Sequence, residues 1–152
     1  MTHLIIFGEN HTKPKEIKHI NNLIQKLKPD YVLHELLYND VCKNEDIAKQ
    51  RLQNCKNGEL CDPRLNKDLY KLCYKTNIPF IGIYRKPSGT FEERERVMIN
   101  IIKKYIKKGK KKNRIIVVVV GDTHLRTIDK PSKFYKYFQD AIIIRSKYKE
   151  VE

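Results

Sequence analysis

The chain has no apolar stretch approaching the roughly 20 residues of a membrane-crossing helix, which excludes a spanning segment and leaves no membrane partner to expect. It has no Cys-x-x-Cys pair. Cys42, Cys55, Cys61 and Cys73 lie singly in the middle third, a spacing that argues against a zinc knuckle. They are expected as reduced thiols, Cys73 on the buried face of a helix; a disulfide within residues 42–61 requires an oxidising or hyperthermophilic source. Acidic residues are scarce, 18 against 32 Lys and Arg, for a formal net charge of +14. Such an excess attracts phosphates, nucleic acids or acidic surfaces through long-range fields without naming a partner. The densest run is Lys103-Lys104, Lys107-Lys108, Lys110-Lys111-Lys112 and Arg114, and few aromatics interleave with it to stack on bases. A solvated helix end is therefore favoured over a dedicated nucleic-acid patch across residues 103–114. Met1-Thr2-His3 enters the first apolar run with no charged leader, signal core or cleavage site, so the expected compartment is the cytoplasm.

What is present is the material of one globular unit. With 152 residues, 40% of them hydrophobic and 33% charged, the chain suits a single domain over 1–152 with a real core. Strand and helix signals alternate, the pattern of an α/β fold with right-handed crossovers. Strands are predicted over 3–8, 31–34, 79–84, 115–120 and 141–144. Helix one opens at Pro14, carries Ile17, Ile20, Ile24 and Leu27, and stops before Pro29. Leu65, Leu69 and Leu72 mark a second helix. Thr90-Phe91-Glu92-Glu93 fits a capping box opening a third, whose stripe is Met98, Ile101, Ile102, Tyr105 and Ile106. A short helix begins near Pro131, and residues 147–152 read as a frayed tail. Residues 39–63 lack a period and contain Asn57-Gly58 and Asp62-Pro63, which suggests an insertion beside the site with one short helix around 45–55. The expected architecture is three-layered, a mostly parallel five-stranded sheet in the order 3-2-1-4-5 with helices on both faces.

Two apolar runs end alike. Leu4-Ile5-Ile6-Phe7 leads into Gly8-Glu9-Asn10-His11, and Val117-Val118-Val119-Val120 into Gly121-Asp122-Thr123-His124. Runs of this kind bounded by glycine read as strands buried on both faces, with the glycine letting the backbone turn. Their carboxyl ends are where open α/β sheets assemble sites. Strand two ends in Glu35 and strand three in Arg85, so four edges carry polar groups on one rim.

Paired imidazoles with carboxylates suit a divalent transition metal (Mn, Co, Zn or Fe), with His11, His124 and Glu9 as ligands and an open position for an acidified water. Glu35 or Glu9 would be the general base, and Arg85 would hold a substrate carboxylate or an oxyanion. A metal-free version uses one histidine to activate water while the other, or Arg85, stabilises charge. Duller roles compete. A histidine after a strand often caps the next helix, Asp122 is as good a helix cap as a ligand, and a solvated arginine is common. Pairing on one edge favours function for His11 and His124, and Glu35 gains because a carboxylate ending a buried strand is costly unless paired. His3, His19 and His34 are expected to be structural or at the surface, His34 facing away from Glu35.

The same residues resemble the Tiki/TraB superfamily, which also takes in ChaN-like haem-binding proteins and, more distantly, erythromycin esterases. Gly8-Glu9-Asn10-His11 and Val120-Gly121-Asp122-Thr123-His124-Leu125 look like its paired motifs, and Asp30-Tyr31-Val32-Leu33-His34-Glu35-Leu36 is similar to its strand and glutamate. Ile83-Tyr84-Arg85-Lys86-Pro87 is similar to its arginine segment, and Glu93-Arg94-Glu95-Arg96-Val97-Met98 to the stretch opening its next helix, which adds Arg94 as a substrate-binding candidate. The resemblance implies a hydrolase, a divalent-metal-dependent peptidase or an esterase, with catalytic candidates Glu9, His11, Glu35, Arg85, Asp122 and His124. The expected substrate is a peptide or small ester. Alternatives are a nucleic-acid-binding protein or nuclease using the basic run, and haem or other ligand capture through the same histidines.

Overall fold

The computed structural model describes residues 2–38, 41–42, 64–65, 67–84, 89–108, 113–126 and 132–146. In β1 (Thr2–Glu9) successive side chains enter two different cores: Ile5 and Phe7 join one, Leu4 and Ile6 the other. That alternation needs apolar cover on both sides of a sheet. The first core is closed by α1 (Pro14–Leu27) and α2 (Lys67–Lys75), the second by α3 (Phe91–Lys107) and α4 (Lys133–Tyr137). The remaining elements are β2 (Tyr31–Tyr38), β3 (Val41–Cys42), β4 (Phe80–Tyr84), β5 (Arg114–Gly121), a 3-10 turn (Asp122–Leu125) and β6 (Ile142–Ile144). The expected three-layer α/β architecture is present.

The sheet runs β3-β4-β2-β5-β1-β6. Five strands are parallel, and the short β3 pairs antiparallel to β4. This corrects the expected order: numbered as the five predicted strands, it is 3-2-4-1-5, with the valine strand between strands two and one. Val117, Val118, Val119 and Val120 are all fully buried. Each buried side chain of this size contributes about 1.5–3 kcal/mol, and all four are shielded only with a strand on each side and helices on both faces. β5 accordingly pairs with β1 from Thr2↔Arg114 to Glu9↔Gly121 and with β2 from Tyr31↔Ile116 to His34↔Val119. Asp30 staples the start of β2 to β5, its N–H donating to the Ile115 carbonyl at 2.8 Å and its carboxylate accepting from the Ile115 N–H at 2.9 Å.

Local signals account for the helices. Pro14 opens α1, Ile20 and Ile24 bury its face, and Lys28 ends it in the left-handed region at φ 48°. At the start of α3 the Thr90 hydroxyl accepts from the Glu93 N–H at 3.2 Å. At its far end the Arg114 guanidinium donates to the carbonyls of Tyr105, Ile106 and Lys108, satisfying acceptors that a helix terminus leaves open. Arg114 is buried in this role, so it does not belong to the exposed basic run. In α3 the inward stripe is Glu95, Met98, Ile99, Ile102 and Tyr105; Ile101 and Ile106 are only partly buried.

β2 extends beyond the predicted 31–34, and its pairing with β4 shifts register between His34 and Tyr38. Of the expected insertion at 39–63, β3 is seen. The helix expected at 45–55, Cys55, Cys61 and the two turn dipeptides lie outside the described residues, as do Arg85, Lys110, Lys111, Lys112 and the 147–152 tail. Cys73 is buried in α2 as expected. No described helix is long and apolar enough to cross a membrane.

Candidate active site

β5 ends between its two neighbours, and everything at this rim is arranged around its last residue. Gly121 pairs with Glu9 at the end of β1. On the other side, Glu35 follows His34, the last residue of β2 paired with β5. The Glu35 carboxylate leans over the end of β5, where Oε2 accepts from the Gly121 N–H at 2.5 Å. A Cβ on Gly121 would stand 3.1 Å from His11 Nε2 and 3.3 Å from Glu35 Oε2. At Gly8 a Cβ would collide with the Asp122 carboxylate. Neither glycine has a positive φ. Both supply room for close approach, not the turn expected of them.

The two histidines stand on either side of Glu35. His124, on the 3-10 turn, places Nε2 at 2.8 Å from Glu35 Oε1 and Nδ1 at 3.1 Å from Glu95 Oε1. His11, just beyond β1, bonds Glu9 Oε2 through Nδ1 at 2.7 Å and turns Nε2 toward Glu35 Oε2 at 3.6 Å. The result is a line of alternating acids and bases, Glu9, His11, Glu35, His124, Glu95, crossing the end of the sheet from one core to the other. Phe91, the first residue of α3, stacks flat on the His124 ring at 4.4 Å between centroids.

Burial alone would lower the His11 pKa, but the facing Glu35 and Glu9 carboxylates outweigh it and raise it to about 9. His124 behaves likewise: burial lowers, Glu35 and Glu95 raise further, and it too reaches about 9. Burial would raise Glu35, yet its bonds to His11, His124 and the Gly121 N–H hold it well below the usual carboxylate range. Near neutral pH the centre is a carboxylate between two imidazolium ions.

A second set of bonds holds the loops in place. Glu16, buried on α1, accepts from the Asn10 N–H at 2.8 Å and from the Ser146 hydroxyl at 2.7 Å. Asn10 Oδ1 accepts from the Thr12 N–H at 3.1 Å and from its hydroxyl at 2.7 Å. Asp122 accepts from Arg145 at 2.8 and 2.9 Å and from the Ser146 N–H at 2.9 Å, and the Ser132 hydroxyl donates to the His124 carbonyl.

Of the residues singled out in the sequence, Glu9, His11, Glu35 and His124 come together. Asp122 does not join them; its carboxylate is taken up by Arg145 and Ser146. Arg94 lies at the rim with Cζ 5.8 Å from the Phe91 ring centre, and Arg85 falls outside the described residues. Glu95 was missed in favour of its neighbour Arg94. The signal was there: Glu95 shares spacings of three and four with Met98, Ile99 and Ile102, so a carboxylate sits on an apolar stripe. Phe91, read only as part of a capping box, carried no comparable signal.

His34 faces away from Glu35 as expected, but it is fully buried and lies behind the cluster, Nε2 3.9 Å from Glu9 Oε2. Burial lowers its pKa to about 4. Its Nδ1 accepts from the Leu36 N–H at 3.1 Å, so the proton of the neutral ring is on Nε2 and His34 is not poised to bind a metal.

As the side chains stand, no three His, Cys, Asp or Glu among the described residues form a metal-holding group. The donor chemistry is nonetheless that of such sites: the two Nε2 atoms face one carboxylate, while each Nδ1 is held by an outer carboxylate, Glu9 or Glu95, in the carboxylate–histidine pattern that orients metal ligands. His11, His124 and Glu35 are the residues that fit a metal, with Glu9 behind His11.

No protein-family model matches the chain, and no curated protein matches it. In fold it is similar to a solved structure of bacterial protein toxins, with a TM-score of 0.60 and 13% identity over 93% of this chain and 34% of that one. A second crystal structure of bacterial protein toxins gives a TM-score of 0.56 and 14% identity over 91% of this chain and 33% of the other. The chain thus spans about a third of the length of these structures, and the likeness is one of fold.

Proposed function

We propose that the chain is a hydrolase cleaving a peptide or ester bond at the His11–Glu35–His124 cluster. The observation that carries this reading is the Glu35 carboxylate facing the Nε2 atoms of both histidines, at 2.8 Å and 3.6 Å, above the end of β5. Five ionisable side chains meet here, and burying charged groups together costs stability unless they are paired. Functional sites are where such clusters recur.

In the mechanism, Glu35 orients the attacking water and accepts its proton. Protonated His11 and His124 lie on either side of that point. They stabilise the oxyanion that develops on the carbonyl, and one of them returns a proton to the leaving group. Glu9 and Glu95 keep both rings turned inward, and Phe91 shields His124. A divalent metal held by His11, His124 and Glu35 would supply an acidified water.

The purified chain should be assayed on panels of nitrophenyl esters and peptides, with and without added Mn, Co, Zn or Fe. Hydrolysis that disappears in Glu35→Gln while the circular dichroism spectrum is unchanged supports the proposal. Absence of hydrolysis throughout, or its persistence in Glu35→Gln, overturns it. Equal metal content in the parent and in the His11→Ala/His124→Ala double variant removes the metal.

A further inference from the structure

The linear sequence places few aromatics among the lysines of α3, but the fold brings aromatics from elsewhere. α4 lies beside α3, sharing one core through Phe134, Phe138, Ile102 and Tyr105. This sets the Tyr137 ring among lysines: Lys103 Nζ is 4.1 Å from its centre and Lys136 Nζ 5.7 Å, while Lys108 lies 5.2 Å from the Tyr105 ring. Tyr137 remains 47% exposed. Lys104, Lys107, Lys108 and Lys136 are exposed as well.

No Asp or Glu occurs between Arg96 and Lys108, nor within α4; Asp140 is the next acid after it. Like charges at i, i+4, as in Lys103/Lys107, destabilise a helix. The α3 terminus and the rings offset part of this. A bound polyanion would relieve the rest.

We infer that the face formed by the C-terminal half of α3 and by α4 binds single-stranded nucleic acid, with Tyr137 stacking on a base and Lys103, Lys104, Lys107 and Lys136 contacting phosphates. A single strand is favoured because its bases are free to stack on an exposed ring flanked by cations. A membrane surface of anionic headgroups would use the lysines but has no base for Tyr137. The face is separate from the histidine cluster, since Lys103 lies about 12 Å further along α3 than Glu95. This inference goes beyond the hydrolase proposal and does not depend on it.

The test is fluorescence anisotropy of the intact chain with a labelled oligothymidylate of about 16 nucleotides across a salt series, beside vesicles of phosphatidylcholine with phosphatidylserine. Affinity should fall steeply with salt. The Lys103→Gln/Lys104→Gln/Lys107→Gln/Lys136→Gln variant should flatten the log–log slope by up to about 0.7 for each lysine removed. Tyr137→Leu should weaken binding about tenfold at an unchanged slope, as loss of one stacked base does. Binding undiminished by these changes overturns the inference, and so does capture by the vesicles without oligonucleotide binding. Circular dichroism checks that both variants are folded.

Discussion

Glu35 and His124 stand 89 positions apart in the chain and 2.8 Å apart in space, Oε1 to Nε2. The contact exists because β2 and β5 are neighbours and because Glu35 projects just past the last residue of β2 that pairs with β5. One carboxylate thereby serves as counter-charge to two imidazoles. Glu35→Gln keeps the shape and removes the charge. The pKa values of His11 and His124 should drop from about 9 toward 6.5, measured by NMR titration of the ring protons. Hydrolysis should fall by about 10²–10⁴.

Gly121→Ala tests the geometry instead of the charge. The added methyl would press on His11 Nε2 and Glu35 Oε2, forcing the cluster apart at a cost of about 1–3 kcal/mol, as for other overpacked sites. Catalysis should suffer more than folding. A chemical melt that shifts only modestly, together with loss of most of the hydrolytic rate, is the expected pair of results.

Stability should peak near pH 6.5. His11 and His124 keep their protons in the folded chain to about 9, whereas in the unfolded chain they lose them near 6.5. Their contribution is complete below 6.5 and is lost as pH rises through 9. His34 works in the opposite sense: it stays neutral down to about 4 when folded, so acidification from 6.5 to 4 protonates only the unfolded chain and lowers stability. On the acid side His34 acts first, and Glu35 and Asp122, whose carboxyls the folded chain holds below their usual range, add to the loss as pH falls further. Denaturant midpoints across pH 4–10 check both limbs, and His34→Gln should flatten the acid one.

Arg145→Ala should leave the buried Asp122 carboxylate with the Ser146 N–H and the charge of Arg126. Losing charged hydrogen bonds of this kind costs about 1–3 kcal/mol. The acid sensitivity that Asp122 confers should shrink too. Its pKa is lowered because bonds to Arg145 and Ser146 outweigh burial, so its stabilisation is present above the ordinary value and is lost as pH falls through the depressed one. Thermal melts at neutral and low pH measure both effects.

The layers and most elements were legible in the sequence because they rest on local patterns: the unbroken apolar run in β1, the Ile20 and Ile24 spacing in α1, the Thr90 cap. Strand order was not, since no local pattern distinguishes whether β5 lies beyond β1 or between β1 and β2; only total burial decides, and it places the valines at the centre. Four site residues, Glu9, His11, Glu35 and His124, were visible as polar groups ending apolar strands. Asp122 looked equivalent, but its partner Arg145 is 23 residues away and carries no motif. Glu95 was visible as a charge on an apolar stripe, and the neighbouring Arg94 drew attention instead.

The central position of β5 also governs how the chain must fold. Among the described residues β1 pairs only with β5 and β6, so its edges close only with strands more than a hundred residues further along the chain. Contacts of such long sequence separation slow folding and leave strand edges exposed meanwhile. Without β5 in place His11 and Glu35 have no strand between them to bring them together, so the cluster forms only once β5 is inserted between β1 and β2.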